Sequence, residues 1–302
     1  MLSSQKITAL YERFKGVDVS FTKEIIRVTG MITQQVFLKC RGDFWPCVIF
    51  SSSFLGAKLV ANTRSRLLEK LKLANNAASL RLCFKSADSN KPVAFFIAVR
   101  SVGTAPYGNS GDMIILTVQF TQRPPDDFID IIGRLLEAGV NFTQRKDERI
   151  LLSTDSMRRL RIAKEAAIFI QELPRRCILR DISFSGAKLI MMGVAKFLVE
   201  KESVLRLDFN EPRESFLLKG KFIHSENIEG RKDLVALGFR FTDGQIPMGY
   251  KIRINDYLGQ QIRPEFPAPE KAPEAGASKT PGEVAGAAAA LENIPDLDLS
   301  QV

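Results

Sequence analysis

Short apolar runs separated by turn residues dominate the chain. In the first half, runs rich in Val, Ile and Phe and bounded by Gly, Asn, Ser or Pro predict strands at residues 24–29, 34–39, 48–50, 80–84, 93–99 and 113–120. In the second half, the same pattern predicts strands at residues 149–153, 166–171, 177–183, 187–191, 204–209, 216–223 and 234–242. The pattern therefore predicts a mainly β fold.

Three stretches have helical spacing instead, at residues 7–14, 126–138 and 247–258. Two prolines precede the second stretch, and Gly139 is expected to end it. We predict that residues 140–149 form a linker after this helix.

The two halves of the chain contain a repeat. Residues 47–60 (CVIFSSSFLGAKLV) align with residues 177–190 (CILRDISFSGAKLI) at an offset of 130. Residues 80–84 (LRLCF) resemble residues 205–209 (LRLDF) in the same order. Two matches in one order indicate two copies of one β-barrel.

The end of the chain has a different composition. Residues 264–302 are rich in Pro and Ala and carry a net charge of −5, so we expect residues 263–302 to be a disordered acidic tail. We therefore predict three parts: residues 1–139 with a degenerate first barrel, residues 140–262 with the ligand-binding barrel, and the tail.

The body of the protein is strongly basic. Without the tail, 41 basic and 27 acidic side chains leave a net charge of +14, against +9 for the whole chain. Such a body attracts anions, which include phosphates, nucleic acid and membrane surfaces. Charge alone does not choose among them.

Several classes of protein are disfavoured. No apolar run is long enough to span a membrane, and the first residues do not resemble a signal peptide. The four cysteines are scattered and the single histidine, His224, has no ligand partner near it, so we expect no metal. No catalytic constellation is visible, and we expect a cytoplasmic protein that is not an enzyme.

The copies differ where a ligand would bind. The second copy has the pattern DxSxxG, formed by Asp181, Ser183 and Gly186, where the first has Ser51, Ser53 and Gly56. Arg145 and Arg149 form an RxxxR pattern before the second copy, whereas the same offset gives Lys15 and Val19 before the first. The acid and the arginine pair thus belong to the second half alone.

This order of motifs resembles the PilZ-domain family, whose signature is RxxxR in a lead-in followed by [D/N]xSxxG on a β-barrel. The arrangement is similar to two-domain members in spirochaetes and in flagellar-brake regulators, with a degenerate barrel first. The resemblance implies two six-stranded PilZ-like barrels joined by a helix and linker. It also implies cyclic di-GMP as ligand, bound by Arg145, Arg149, Asp181, Ser183 and Gly186, with no other cofactor.

These residue types suit that ligand. The arginine fork donates to phosphates or to guanine O6 and N7. Asp181 can accept from guanine N1–H and N2–H₂, which gives base choice. Ser183 can bond a phosphate or local backbone, and Gly186 permits a tight turn or a close approach. Arg158, Arg159, Arg161, Arg176 and Arg180 are further cations that could contribute.

The resemblance implies that Arg145 and Arg149 fold onto the barrel with ligand, reorient the two domains, and so regulate motility or virulence through a protein partner. Two alternatives stay open: a basic nucleic-acid-binding module, and a structural interaction protein that has lost nucleotide binding. We expect a monomer.

Overall fold

The computed structural model describes residues 3–86, 91–163, 165–193, 198 and 201–261. The helices are α1 (Ser4–Phe14), α2 (Lys23–Thr29), α3 (Leu67–Leu73), α4 (Asp126–Gln144), α5 (Thr154–Leu160) and α6 (Met248–Gln261). The strands of the first half are β1 (Val19–Ser20), β2 (Phe37–Cys40), β3 (Asp43–Pro46), β4 (Val48–Ser52), β5 (Gly56–Asn62), β6 (Ala77–Lys85), β7 (Pro92–Tyr107) and β8 (Ser110–Phe120). Those of the second half are β9 (Ile150–Leu151), β10 (Ala166–Ile170), β11 (Leu173–Ile182), β12 (Gly186–Met192), β13 (Glu202–Phe209), β14 (Glu214–Ile228) and β15 (Arg231–Phe241). The mainly β prediction is confirmed.

The second half forms a closed antiparallel barrel. Its strands follow the order β10-β13-β14-β15-β12-β11, and β10 also pairs with β11 to close the ring of six. The two-residue strand β9 adds to the outer side of β11. Side chains alternate along each strand, so that residues such as Leu189 and Leu237 fill the interior.

The first half repeats this sheet. Its order is β1-β4-β5-β8-β7-β6-β2-β3, so β3 ends one side of the sheet and β4, with only the two-residue β1 beyond it, lies at the other. Only Cys47 separates them along the chain, and its N–H donates to the carbonyl of Val36 at 3.2 Å. The chain itself therefore joins the two ends of the sheet.

Helices lie between the two barrels. On α4, Phe128 packs in the core of the first barrel, while Tyr250 on α6 packs in the core of the second. The two helices contact each other through polar groups, because Arg134 pairs with Asp256 and the Asn141 side chain donates to Asn255 at 2.6 Å. Among the described residues, no helix is long and apolar enough to cross a membrane.

Local capping explains why α2 and α5 recur at the same place in each repeat. The hydroxyl of Thr22 accepts from the N–H of Ile25 at 3.3 Å, and that of Ser153 accepts from the N–H of Ser156 at 3.2 Å. Both caps satisfy N–H groups that have no partner within the helix. Both helices then end on a left-handed residue, Gly30 or Arg161.

Three sequence predictions are wrong. Residues 24–29 form helix α2, although Ile25, Ile26 and Val28 are β-branched residues that favour strands. The predicted strand at residues 34–39 begins with a 3₁₀ turn, Thr33–Gln35, and is extended only from Phe37. Helix α5 fills residues 154–160, where no element was predicted.

The predicted linker is also wrong over half its length. Gly139 does not end α4, which continues to Gln144 and has Arg145 as its C-cap. Glycine in a helix interior is unfavourable, and the hydrogen bond from Asn141 to Asn255 of α6 stabilises the part of α4 beyond Gly139. Only the segment from Arg145 to Arg149 connects α4 with β9. The predicted disordered tail, residues 263–302, lies outside the described residues.

Candidate ligand-binding site

Strand pairing brings the two motifs of the second half together. In β9, Leu151 lies opposite Asp181 and Ile150 lies opposite Ile182 of β11. The N–H of Leu152 also donates to the carbonyl of Arg180 at 2.9 Å. Arg149 directly precedes β9, so this short ladder places it beside Asp181 despite their separation of 32 positions.

Arg149 and Asp181 form an ion pair at the barrel surface. Nη1 of Arg149 lies 2.9 Å from Oδ1 of Asp181, and the aspartate side chain is only 9% exposed while the arginine is 50% exposed. A carboxylate this buried needs a partner for its charge, which Arg149 supplies. The guanidinium has further N–H donors, and the side chain is exposed enough for an anion to reach it.

Arg145 is held within its own segment. Its N–H donates to the carbonyl of Asn141 at 2.8 Å, which closes the last turn of α4. Its guanidinium forms a two-pronged pair with Glu148, in which Nη2 lies 2.7 Å from Oε1. Glu148 therefore occupies the edge formed by Nε and Nη2, and a phosphate that binds this edge must displace Glu148.

Ser183 and Gly186 build the turn between β11 and β12. The N–H of Ser183 donates to the carbonyl of Gly186 at 2.8 Å, and the hydroxyl of Ser183 accepts from the N–H of Gly186 at 3.1 Å. A Cβ on Gly186 would lie 2.5 Å from the carbonyl oxygen of Phe239, so no larger residue fits. The buried Tyr250 hydroxyl donates to the Ser183 carbonyl at 2.7 Å, and burial raises the pKa of Tyr250.

Sequence reasoning left two roles open for Ser183, a phosphate contact or a local backbone contact. The described bonds of its hydroxyl are local, to the N–H groups of Ser185 and Gly186 and to neighbouring oxygens. Ser183 is also buried. These contacts stabilise the shape of the turn that carries Asp181.

Three polar residues of the site were missed by sequence reasoning. Asp147 accepts from the hydroxyl of Ser185 at 3.0 Å, Lys146 pairs with Asp243 at 2.9 Å, and Glu148 pairs with Arg145. All three lie between the two arginines of RxxxR. The charged composition of that short segment was the available signal, but the partners of Lys146 and Asp147 are distant in sequence.

The other arginines have separate partners. Arg158 and Arg159 pair with Asp155 on their own helix, at 3.2 and 2.9 Å. Arg161 pairs with Glu211 at 3.5 Å and lines, with Arg158, a cavity of about 530 Å³. Arg176 and Arg180 are exposed on β11, and Arg180 lies at a β-bulge one residue before Asp181.

The first barrel has the same turn with different charges. Ser53 donates its N–H to the carbonyl of Gly56 at 2.9 Å, as Ser183 does to Gly186. β1 pairs with β4 so that Ser20 lies opposite Ser51. The residue before β1, which corresponds to Arg149, is therefore Asp18 and not Val19 as the constant offset predicted.

The charge is reversed at the position of Arg149 and absent at the position of Asp181. Asp18 pairs with Lys58 at 3.6 Å, and the counterpart of Arg145 is Phe14, which is buried in the core. An acid replaces the arginine, and Ser51 replaces the aspartate. The first barrel therefore lacks the groups that would bind an anionic nucleotide at this place.

Two related barrels, with a paired arginine and aspartate on the second, define a two-domain architecture. Residues 5–139 match the family model described as the PilZN3 domain, and residues 143–260 match that of the PilZ domain. The Cyclic di-GMP binding protein of Treponema denticola is 38% identical over 265 residues, covering 87% of this chain and 84% of that protein. The chain belongs to the PilZ-domain family, as its motifs predicted.

Two solved structures are also similar. The Borreliella burgdorferi PlzA protein in complex with c-di-GMP is 25% identical, with 85% of this chain and 99% of that chain covered and a TM-score of 0.39. YcgR of Escherichia coli in complex with c-di-GMP is 12% identical, with 86% and 96% covered and a TM-score of 0.25. In the described part of this chain, no cluster of three His, Cys, Asp or Glu residues could hold a metal ion.

Proposed function

We propose that this chain is a receptor for cyclic di-GMP and that Arg145, Arg149 and Asp181 bind the ligand on the second barrel. The observation that carries the proposal is the pairing of β9 with β11, which sets Arg149 against Asp181. The relative in Treponema denticola, named for the same ligand, supports it.

The chemistry of the pair suits guanine and phosphate together. Asp181 accepts from the N1–H and N2–H₂ of a guanine, while Arg149 keeps donors for O6, N7 or a phosphate oxygen. Arg145 exchanges the carboxylate of Glu148 for a phosphate, one charged hydrogen-bonded partner for another. Ser183 and Gly186 contribute by shaping the turn.

Arg145 also connects the ligand to the arrangement of the barrels. Because Arg145 caps α4, its movement toward a phosphate alters the last turn of that helix. That turn carries Asn141, which bonds α6 of the second domain. We propose that ligand changes the orientation of the domains and so regulates a protein partner in motility or virulence. Equal small-angle scattering with and without ligand would contradict this step.

Titration calorimetry of the full chain tests the binding. We expect tight binding of cyclic di-GMP by the wild type, loss of at least 100-fold in Arg145→Ala/Arg149→Ala, and no binding of cyclic di-AMP. Arg175→Ala is the matched control, because it removes an exposed cation from β11 about 20 Å from Asp181. No heat and no competition at high ligand concentration would refute the proposal.

The receptor so proposed is not an enzyme, acts as a monomer and works in the cytoplasm. The four cysteines are free, buried thiols, which suits a reducing compartment. Analytical ultracentrifugation checks the monomer: a mass near 33.7 kDa is expected.

A second candidate is binding of single-stranded nucleic acid by the first barrel. On its outer face, the Arg81 guanidinium lies 5.0 Å from the ring centre of Phe37 and 5.9 Å from that of Phe96. Lys39 lies 5.4 Å from the ring of Phe44, which is exposed like Phe96. Exposed rings beside cations stack bases and attract phosphates.

Salt dependence separates the two candidates. Nucleic-acid affinity should fall steeply between 50 and 200 mM salt if phosphates carry it. Phe44→Ala/Phe96→Ala should weaken nucleic-acid binding about tenfold and leave cyclic di-GMP binding unchanged. Unchanged nucleic-acid binding in this variant would remove the second candidate.

A further inference from the structure

A row of side chains continues across the second barrel from Asp181. Asp181 lies opposite Lys188 of β12, Lys188 lies opposite Gly238 of β15, and Gly238 lies opposite His224 of β14. Directly opposed residues share one face of a sheet, and Lys188 lies between the inward residues Ala187 and Leu189. The row is therefore on the outer face and spans about 14 Å, three strand spacings.

Gly238 and His224 form a flat platform, in which the imidazole ring of His224 lies over the backbone of Gly238. A Cβ built on Gly238 would overlap the imidazole of His224 and lie 2.8 Å from its Nε2. The glycine thus leaves bare backbone at the surface, and the imidazole of His224 covers it. His224 is 44% exposed, so one side of this platform is open to solvent.

A carboxylate holds the cation of the row. Nζ of Lys188 donates to Oε2 of Glu226 at 2.7 Å, and this bond lowers the pKa of the Glu226 carboxyl. Oε1 of Glu226 lies 3.9 Å from Nε2 of His224. Glu226 is therefore an ion-pair partner of Lys188, as Glu148 is of Arg145.

The first barrel lacks the platform. There Lys58 lies opposite Thr117, and Thr117 lies opposite Gly103. A threonine replaces the bare backbone of Gly238, a glycine replaces the ring of His224, and Lys58 pairs with Asp18. The platform of Gly238 and His224 therefore occurs only in the barrel that also has the pair of Arg149 and Asp181, among the two barrels compared.

We propose that His224 and Lys188 complete the ligand site: the imidazole stacks on one guanine over Gly238, and Lys188 leaves Glu226 to bind a phosphate. This inference rests on the proposed function. It assigns the ligand a second contact region, on β12, β14 and β15, across the barrel from the RxxxR segment. An aromatic ring stacks on any base, so this region contributes affinity while Asp181 selects guanine.

The chain offers a direct spectroscopic test, because His224 is its one histidine. In a full-length protein purified without a histidine tag, the imidazole carbon-bound protons give signals that need no further assignment. We expect cyclic di-GMP to shift these signals strongly through the ring current of the stacked guanine. Unshifted signals at saturation would overturn the proposal.

Variants test it independently. We expect His224→Ala to weaken binding about tenfold, the scale of one base stack, and His224→Phe to stay within about threefold of the wild type. Lys188→Ala should weaken binding about tenfold, whereas Lys219→Ala, which removes an exposed lysine from β14 five residues before His224, should not.

The outcomes separate this inference from the proposed function. Wild-type affinity in His224→Ala, or equal losses of affinity in His224→Ala and His224→Phe, would overturn the stacking role. The proposed function would still stand if Arg145→Ala/Arg149→Ala loses binding in the same assay. Absence of binding by the wild type itself would overturn both proposals.

Discussion

The two barrels of this protein share their framework and differ in the side chains placed on it. Each has a capped helix after its first short strand, a β-bulge one residue before the position of Ser51 or Asp181, and a tight turn at Gly56 or Gly186. At the surface beside that turn, the first barrel presents an acid and a serine where the second presents an arginine and an aspartate.

This difference divides the family motif into two kinds of residue. Ser53 and Gly56 keep the turn in a barrel that lacks the charged groups, so serine and glycine of DxSxxG specify backbone shape. In the function that we propose, the arginines and the aspartate contact the ligand. The turn can therefore form in a barrel that lacks the arginine and aspartate pair.

We expect the largest effect on ligand binding when Asp181 of the second barrel is replaced by serine, the residue found at the matching position, Ser51, of the first barrel. Asp181→Ser should weaken cyclic di-GMP binding about 100-fold, since it removes a buried charged acceptor. Thermal stability should change little, because Arg149 is half exposed and stays hydrated. Calorimetry and thermal melts check both parts.

The reverse exchange is the control. Asp18→Arg/Ser51→Asp gives the first barrel a comparable pair, but Phe14 still stands in the place of Arg145. We expect no second binding event. A ligand stoichiometry of two in this variant would show that the charged pair alone makes a site.

The next effect is on stability and should be alike in both barrels. Gly56→Ala and Gly186→Ala each push a Cβ into the carbonyl of the neighbouring strand, at Val118 or Phe239. Backbone cannot yield easily, so we expect each change to cost about 2 kcal/mol in chemical denaturation. A large loss for Gly186→Ala with none for Gly56→Ala would break the equivalence of the turns.

The helix caps should give a smaller, matched effect. Thr22→Ala and Ser153→Ala remove the side chains that cap α2 and α5. We expect each to reduce the free energy of unfolding by about 1 kcal/mol. Clearly unequal losses would mean that one of the helices depends on packing more than on its cap.

The smallest effect concerns two equivalent thiols. Burial raises the pKa of Cys47 and of Cys177 to about 12, from an ordinary value of 9.0. Both should resist alkylation at pH 8 in the folded protein, because the thiolate is the reactive form. Mass spectrometry should find equal protection; selective labelling of Cys177 would contradict it.

The same shifts give the pH dependence of stability. The folded pKa is raised, so the contribution of the buried thiols is complete below about 9 and is lost as the pH rises through about 12. Stability should therefore decline across that alkaline window.

The sequence predicted the fold where strong patterns repeat and failed where tertiary contacts decide. The matched segments 47–60 and 177–190 are the two strand–turn–strand units that carry the motif. Helix α2 was missed because its β-branched residues suggest a strand, whereas its cap at Thr22 decides the structure. Helix α4 was ended too early because its contact with α6 is not visible locally.

The residue types of the candidate site could be predicted from the sequence, but their arrangement in space could not. The order of RxxxR and DxSxxG identified Arg145, Arg149 and Asp181. The pairing of Arg149 with Asp181 requires the folded chain, as the β9 ladder shows. His224 has no motif at all, and only its position over Gly238 draws attention to it.

The ladder that joins the RxxxR segment to the barrel is only two residues long. Such a short edge should open by local unfolding far more often than the barrel interior, so its amide hydrogens should exchange with solvent early. Bound ligand that spans the segment and the barrel would slow this opening in proportion to its occupancy. If the proposed function holds, the exchange rate at the Leu152 amide would then report, in a single backbone group, how much of the protein has ligand bound.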